Sequence, residues 1–166
     1  VNGLSSSASV SIGTGSTLAL NQNNTINSVS GTGKIRVNNS KQLTVSSTTF
    51  TGLVVGCGDL VVDGSYTIGG VGNMQLGDNG ADNDINTIIS GASTTLNIGS
   101  NNALSTTHNL TVQNNAAFNM GAFQQTVSTV DLTEGTISGT SSGELEATTE
   151  IALKSGEVAA NTNLAG

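Results

Sequence analysis

The sequence predicts an all-β fold, a parallel β-solenoid of about 20–25 residues per turn and roughly six to seven turns. Three observations predict it. Ser, Thr, Asn and Gly supply 86 of the 166 residues, while Pro and Trp are absent. Apolar residues recur at i and i+2, the period of a strand with one face buried, and Gly or Asn interrupts runs of more than about eight residues. The apolar pairs also return at a long, nearly fixed spacing.

The strands follow in order from those pairs. Val10/Ile12 and Leu18/Leu20 flank Gly13-Thr14-Gly15, a turn between two short strands. Ile35/Val37, Leu43/Val45 and Leu60/Val62 follow, separated by Asn38-Asn39-Ser40 and by Gly56-Cys57-Gly58. Leu96/Ile98, Leu110/Val112 and Phe118/Met120 form the middle, and Val130/Leu132 and Ile151/Leu153 the end. Each pair places two apolar side chains on one face and polar or small residues on the other. The core is aliphatic, because Phe50, Phe118, Phe123 and Tyr66 are the only aromatic residues.

Val10, Ile35, Leu60, Ile85 and Leu110 are each 25 residues apart, and Leu18, Leu43, Ile68 and Phe118 form a second track eight residues behind. Beyond Leu110 the step shortens to 20 or 21, through Val130 and Ile151. The two clearest copies are residues 30–37 (SGTGKIRV) and 55–62 (VGCGDLVV), each with Gly-x-Gly, a charged residue, then apolar-x-apolar. In that register Lys34 lies beneath Asp59. A repeat of this size holding two or three short strands is one solenoid turn, each strand pairing in parallel with its copy one turn away. Strand stacking then accounts for the composition. Like residues form ladders at ~4.8 Å, Gly takes the corners, and Pro is excluded because it would remove a ladder donor. The whole of 1–166 reads as one solenoid domain, or as a segment of a longer rod.

Composition also narrows function. Four cations (Lys34, Arg36, Lys41, Lys154) against eleven carboxylates give a net charge of −7, leaving no basic stripe for phosphates and no aromatic platform for bases. Nucleic acid is thereby an unsuitable partner. No run approaches the ~18 apolar residues of a membrane-spanning helix. The single Cys57 cannot form an internal disulfide and reads as a small buried hydrophobe.

Residues 29–37 (VSGTGKIRV), 42–46 (QLTVS), 49–52 (TFTG), 58–64 (GDLVVDG), 151–161 (IALKSGEVAAN) and 163–166 (NLAG) resemble the passenger β-helix of bacterial autotransporter-type surface proteins, particularly those with autotransporter-associated β-strand repeats. The resemblance is one of composition and rhythm along most of the chain. It implies a right-handed parallel β-helix, export to the bacterial outer surface or beyond, and a role in adhesion, aggregation or surface coating. The membrane-anchoring barrel and the signal peptide of that family have no counterpart in these 166 residues.

Few residues suggest chemistry. His108, the sole histidine, rules out a multi-His metal site and reads as a solvated turn residue before a strand. Asp78, Asp82 and Asp84, with Asn79 and Asn83 among glycines, offer the hard oxygen ligands that Ca²⁺ prefers and form the candidate metal site. Asp131, Glu134, Glu144, Glu146 and Glu150 could supply a glycosidase-like carboxylate pair, but no Arg, Trp or Tyr accompanies them in sequence. They read instead as an acidic outer face. Gly13/Gly15, Gly31/Gly33 and Gly56/Gly58 are turn residues, since no helix follows to cradle a phosphate. The expectation is a non-catalytic, extracellular or cell-surface element without cofactor, a fibre or surface-layer subunit or adhesin stalk that self-associates end to end. The alternatives are a module binding carbohydrate or host protein, and a polysaccharide-degrading β-helix enzyme.

Overall fold

A computed structural model describes residues 3–76, 85–159 and 162–166. These residues contain no helix. Among the described residues eighteen strands follow in order: β1 (Ser9–Ile12), β2 (Thr17–Leu20), β3 (Asn24–Gly31), β4 (Lys34–Val37), β5 (Gln42–Phe50), β6 (Leu53–Gly56), β7 (Asp59–Val62), β8 (Ser65–Ile68), β9 (Gln75–Leu76), β10 (Asn86–Ser90), β11 (Thr95–Ile98), β12 (Asn109–Gln113), β13 (Ala117–Asn119), β14 (Gln124–Thr133), β15 (Gly135–Ser138), β16 (Glu144–Leu153), β17 (Gly156–Val158) and β18 (Asn163–Ala165). Every strand pairing is parallel. The strands form a nine-stranded sheet in the order β1-β3-β5-β7-β10-β12-β14-β16-β18, a five-stranded sheet β17-β15-β13-β11-β8, and a four-stranded sheet β2-β4-β6-β9. Chain order and stacking order coincide, so the chain winds into a β-solenoid of about seven turns. All ten apolar pairs read from the sequence mark strands, with Met120 one residue past the end of β13.

Stacking builds the core from columns. Leu43, Leu60, Thr87, Leu110, Val130 and Ile151 lie on one another along the large sheet, and Ile26, Val45, Val62, Ile89, Val112 and Leu132 form a second column two residues on. Tyr66, Leu96, Phe118, Ile137 and Val158 do the same in the five-stranded sheet. Interior members are buried completely: Leu43, Leu60, Leu96, Leu110, Phe118 and Ile137 have no exposed surface. Each such aliphatic side chain contributes about 1.5–3 kcal/mol of transfer free energy. A narrow rod thus gains a continuous and mainly aliphatic core, with Phe50, Phe118 and Tyr66 as its buried aromatic members.

The 25-residue register is not the stacking register. Leu43 to Leu60 is a step of 17 residues and Leu60 to Thr87 one of 27. Val10 pairs with Val29, Ile35 with Leu18 and Val54, and Leu60 with Leu43 and Thr87, so the three residues of the apparent track belong to different columns. The cause is variable corner length. Alternation at i+2 offers an apolar residue near any multiple of 25, while the connections grow or shrink freely. Lys34 accordingly stacks between Thr17 and Leu53, and Asp59 between Gln42 and Asn86, so the expected Lys34–Asp59 pair does not form. The later steps match the sequence reading: Leu110 pairs with Val130 and Val130 with Ile151.

The Gly-x-Gly corners do serve as turns. Gly56 has φ 127° and lies against the Val37 backbone of the preceding turn, where a Cβ would collide with the Val37 carbonyl oxygen. Gly31 repeats the arrangement over Ile12 with φ 100°. Both positions require the positive φ that glycine adopts without cost and the absence of a side chain.

Candidate functional site: a polar groove along the rod

Asp59, Asn109 and Thr129 each stand immediately before the apolar-x-apolar core of a strand, and Asn86 before its Thr87-x-Ile89 counterpart, at the same place on successive turns. Stacking aligns their side chains into a directional ladder. Asn86 Nδ2 donates to Asp59 Oδ1 at 3.0 Å, Asn109 Nδ2 to Asn86 Oδ1 at 2.9 Å, and Thr129 Oγ1 to Asn109 Oδ1 at 2.8 Å. Two rungs of this ladder, Asn86 and Asn109, help line an open groove of about 680 Å³ that also touches Asn39, Cys57, Thr106, Thr107, Ser128 and Thr148. These residues come from successive turns, so the groove runs along the rod axis. Its walls offer amides and hydroxyls, groups that both donate and accept hydrogen bonds, together with one thiol. Such a lining suits an uncharged polar ligand.

Cys57 is half-buried on this groove rather than enclosed in the core, because it occupies the corner between β6 and β7 with glycines on both sides. The expectation of a buried hydrophobe is thereby corrected.

His108 corrects a second expectation. It is fully buried, not solvated, and its Nε2 lies 2.8 Å from Thr87 Oγ1, while Nδ1 is buried without a partner among the described residues. Thr87 is the polar member of the Leu43–Leu60–Thr87–Leu110 column, and His108 supplies the group that satisfies it. Burial pushes the imidazole down from 6.5 to about 4, so it is neutral at pH 7. The same segment is tied to the next turn, since the His108 carbonyl accepts from Ser128 N at 2.7 Å and Thr129 N at 3.4 Å.

The described carboxylates named from the sequence lie toward the outside of the rod. Asp131 faces outward and is ion-paired with Lys154, whose ammonium hydrogen bond holds the carboxyl below its usual range; a hydrogen bond from Thr133 acts in the same direction against partial desolvation. Glu146 accepts from Thr126 Oγ1 at 3.3 Å, and Glu134 sits at a corner with φ 58°. Glu144 and Glu150 also lie on the outer side of β16. Asp78, Asp82 and Asp84 fall outside the described residues, and among the described ones no group of three His, Cys, Asp or Glu side chains could hold a metal ion.

Stacked turns are expected to carry outward Asn, Ser and Thr ladders; what sequence reasoning missed is which residues form this one. Its signal is present, since each rung immediately precedes an apolar-x-apolar triplet or its Thr87 variant, but only the correct register reveals that these positions coincide.

Fold and groove define a parallel β-solenoid with a polar side-chain ladder on its outer surface. Comparison with protein-family models, with curated proteins and with solved structures gives no match for the chain.

Proposed function

We propose that the protein is a non-catalytic rod of the bacterial cell surface or exterior, of the autotransporter-passenger type, acting as a self-associating fibre or surface-layer subunit or as an adhesin stalk. The observation that carries this reading is the state of the outermost described turns. Val10 and Leu18, in β1 and β2, are half-buried, whereas Val29 and Ile35, which stack on them, are fully buried. At the other end Leu153 is 53% exposed and its stacking partner Leu132 1%. Some columns of the first and last described turns are thus left partly exposed, Val10 and Leu18 at one side and Leu153 at the other, while Ile12 and Leu20 beside them are buried; partly exposed columns and β-edges of this kind can pair with further chains.

Negative-stain electron microscopy across a concentration series, with and without a calcium chelator, tests the proposal. Rods that lengthen with concentration are the expected result. Uniform rods of one length at every concentration would refute self-association.

A second reading has its own observation in the axial groove. An adhesin module binding a neutral glycan would use Asn86, Asn109, Thr106 and Thr107, and Asn109→Ala would remove the middle of the ladder. Glycan-array binding by a monomeric rod, abolished in Asn109→Ala, would favour this reading over assembly.

A further inference from the structure

Charge is segregated along the rod. Residues 1–58 hold three cations (Lys34, Arg36, Lys41) and no carboxylate, whereas residues 120–166 hold six carboxylates (Asp131, Glu134, Glu144, Glu146, Glu150, Glu157) against one Lys154. Because stacking order equals chain order, this becomes a spatial separation. The β1–β4 end is positive and the β15–β18 end negative. Lys34 lies in β4, one strand from the β2 edge of its sheet, and Lys41 directly precedes β5. At the opposite end Glu157 is exposed in β17, the outermost strand of its sheet, and Glu150 is exposed in β16.

We infer that the two end surfaces are halves of one polar interface, in which the β1/β2 end of a second copy of this chain docks on the β16/β17/β18 end of the first. The inference rests on the self-association reading and specifies its geometry. Three features make a second copy the fitting occupant. The charges are complementary in this orientation alone, since tail-to-tail contact sets a net −5 against a net −5 and head-to-head contact +3 against +3. The apolar columns meet half-exposed side chains with half-exposed side chains: Leu4, Val10 and Leu18 at one end, Ile151, Val158 and Leu164 at the other. Head-to-tail docking also keeps every new strand pair parallel, as all existing pairs are. A heterologous contact of this kind propagates without closing, giving a polar filament.

The charges stand one to three strand spacings from the end surfaces, roughly 5–15 Å. They act as a field that selects orientation rather than as close ion pairs, and at about 0.1 M salt, with a Debye length of ~10 Å, the nearest groups still sense one another.

Charge reversal at each end tests the inference. Lys34→Glu with Lys41→Glu makes both ends acidic, and Glu150→Lys with Glu157→Lys removes the acidic end. Each double variant alone is expected to lose at least tenfold in filament mass at 0.1 M salt, by sedimentation and electron microscopy. An equimolar mixture contains one natural junction, the −5 end of the first variant on the +3 end of the second, and is expected to recover end-to-end pairs of unlike variants at that junction, which also proves that both fold. Filaments of undiminished mass from both variants alone would overturn the polar interface while leaving self-association standing. So would a mixture that fails to recover while circular dichroism shows both variants folded. A wild-type chain that stays monomeric at every concentration would overturn both the interface and the reading beneath it.

Discussion

His108 makes the stability of the rod depend on acid in a calculable way. The unfolded chain carries an imidazole with a pKa of 6.5, the folded chain one at about 4. Between those values the unfolded state binds the proton and the folded state does not, so stability falls as pH falls from 6.5 to 4. Linkage puts the loss at about 1 kcal/mol at pH 5.5 and about 3 kcal/mol at pH 4. With a urea m-value of about 2 kcal/mol/M, the midpoint moves down by roughly 1.5 M over the whole window. Asp131, held below the usual carboxylate range by Lys154, acts at lower pH, where protonation through its depressed pKa removes stability. The two groups therefore separate by pH.

The control is the pair that fills the same space with apolar groups. Thr87→Val with His108→Leu continues the Leu60–Leu110 column and leaves no polar atom of this pair behind. At pH 7.5 it is expected to be as stable as the natural chain or more so, because both partners leave together. Thr87→Val alone strands the His108 ring with both nitrogens unpartnered and is expected to cost about 1–3 kcal/mol. Urea unfolding followed by far-UV circular dichroism at pH 7.5, 5.5 and 4.0 gives all three quantities. Midpoints that fall in parallel for the natural chain and the double variant would refute the burial argument.

Other perturbations probe the corners and columns. Gly56→Ala adds a Cβ against the Val37 carbonyl at a positive φ and is expected to cost about 1–3 kcal/mol or more, whereas Gly72→Ala, with the same sign of φ but nothing within 4 Å, costs only the backbone term; thermal melts of the two separate collision from conformation. Tyr66→Phe removes a buried hydroxyl that has no partner among the described residues and is expected to raise stability by about 1 kcal/mol, while a loss would reveal a partner for that oxygen. Gln125→Leu extends the Leu145–Leu164 column yet is expected to destabilise by about 1–3 kcal/mol. The Gln125 side chain accepts from Leu104 N at 3.1 Å and donates to the Ser100 carbonyl at 2.8 Å, and leucine would leave both unpaired; an unchanged urea midpoint would refute this.

Strand positions were legible because alternation at i+2 is a local property. Leu60 and Val62 face inward whatever lies above them, and the same holds for all ten pairs. Stacking partners were not legible, since they depend on how many residues each corner consumes. The step of 17 into Leu60 and the step of 27 out of it bracket the apparent 25 and displace it onto other columns. Lys34 and Asp59 lost their expected contact for that reason, and the ladder through Asn86 and Asn109 was hidden by it. His108 was misread because its own neighbours are polar. The clue lay in Thr87, a polar residue in an inward slot two residues before Ile89, which requires a partner from elsewhere in the chain.

That requirement recurs in the stacked columns. Asn24, Thr87 and Gln125 are buried polar residues, and each is answered by a segment without strand structure. Asn24 Oδ1 accepts from Leu4 N at 2.8 Å, Gln125 Oε1 from Leu104 N, and Thr87 meets His108. Residues 4–8 and 99–108 lack a strand of their own, so their backbone groups have few ladder partners, and side chains reaching out of the columns replace some of those bonds. The same device recurs at both sites. Leu4 and Leu104 are each followed by a hydroxyl turn, Ser5 with Ser7 and Ser105 with Thr107, in which the later amide donates to the earlier hydroxyl at 3.3 Å. A buried amide in an aliphatic column therefore marks where the solenoid holds down a stretch it does not pair. The ladders explain how the turns stack, and these inward polar residues explain how the rod tolerates corners of unequal length.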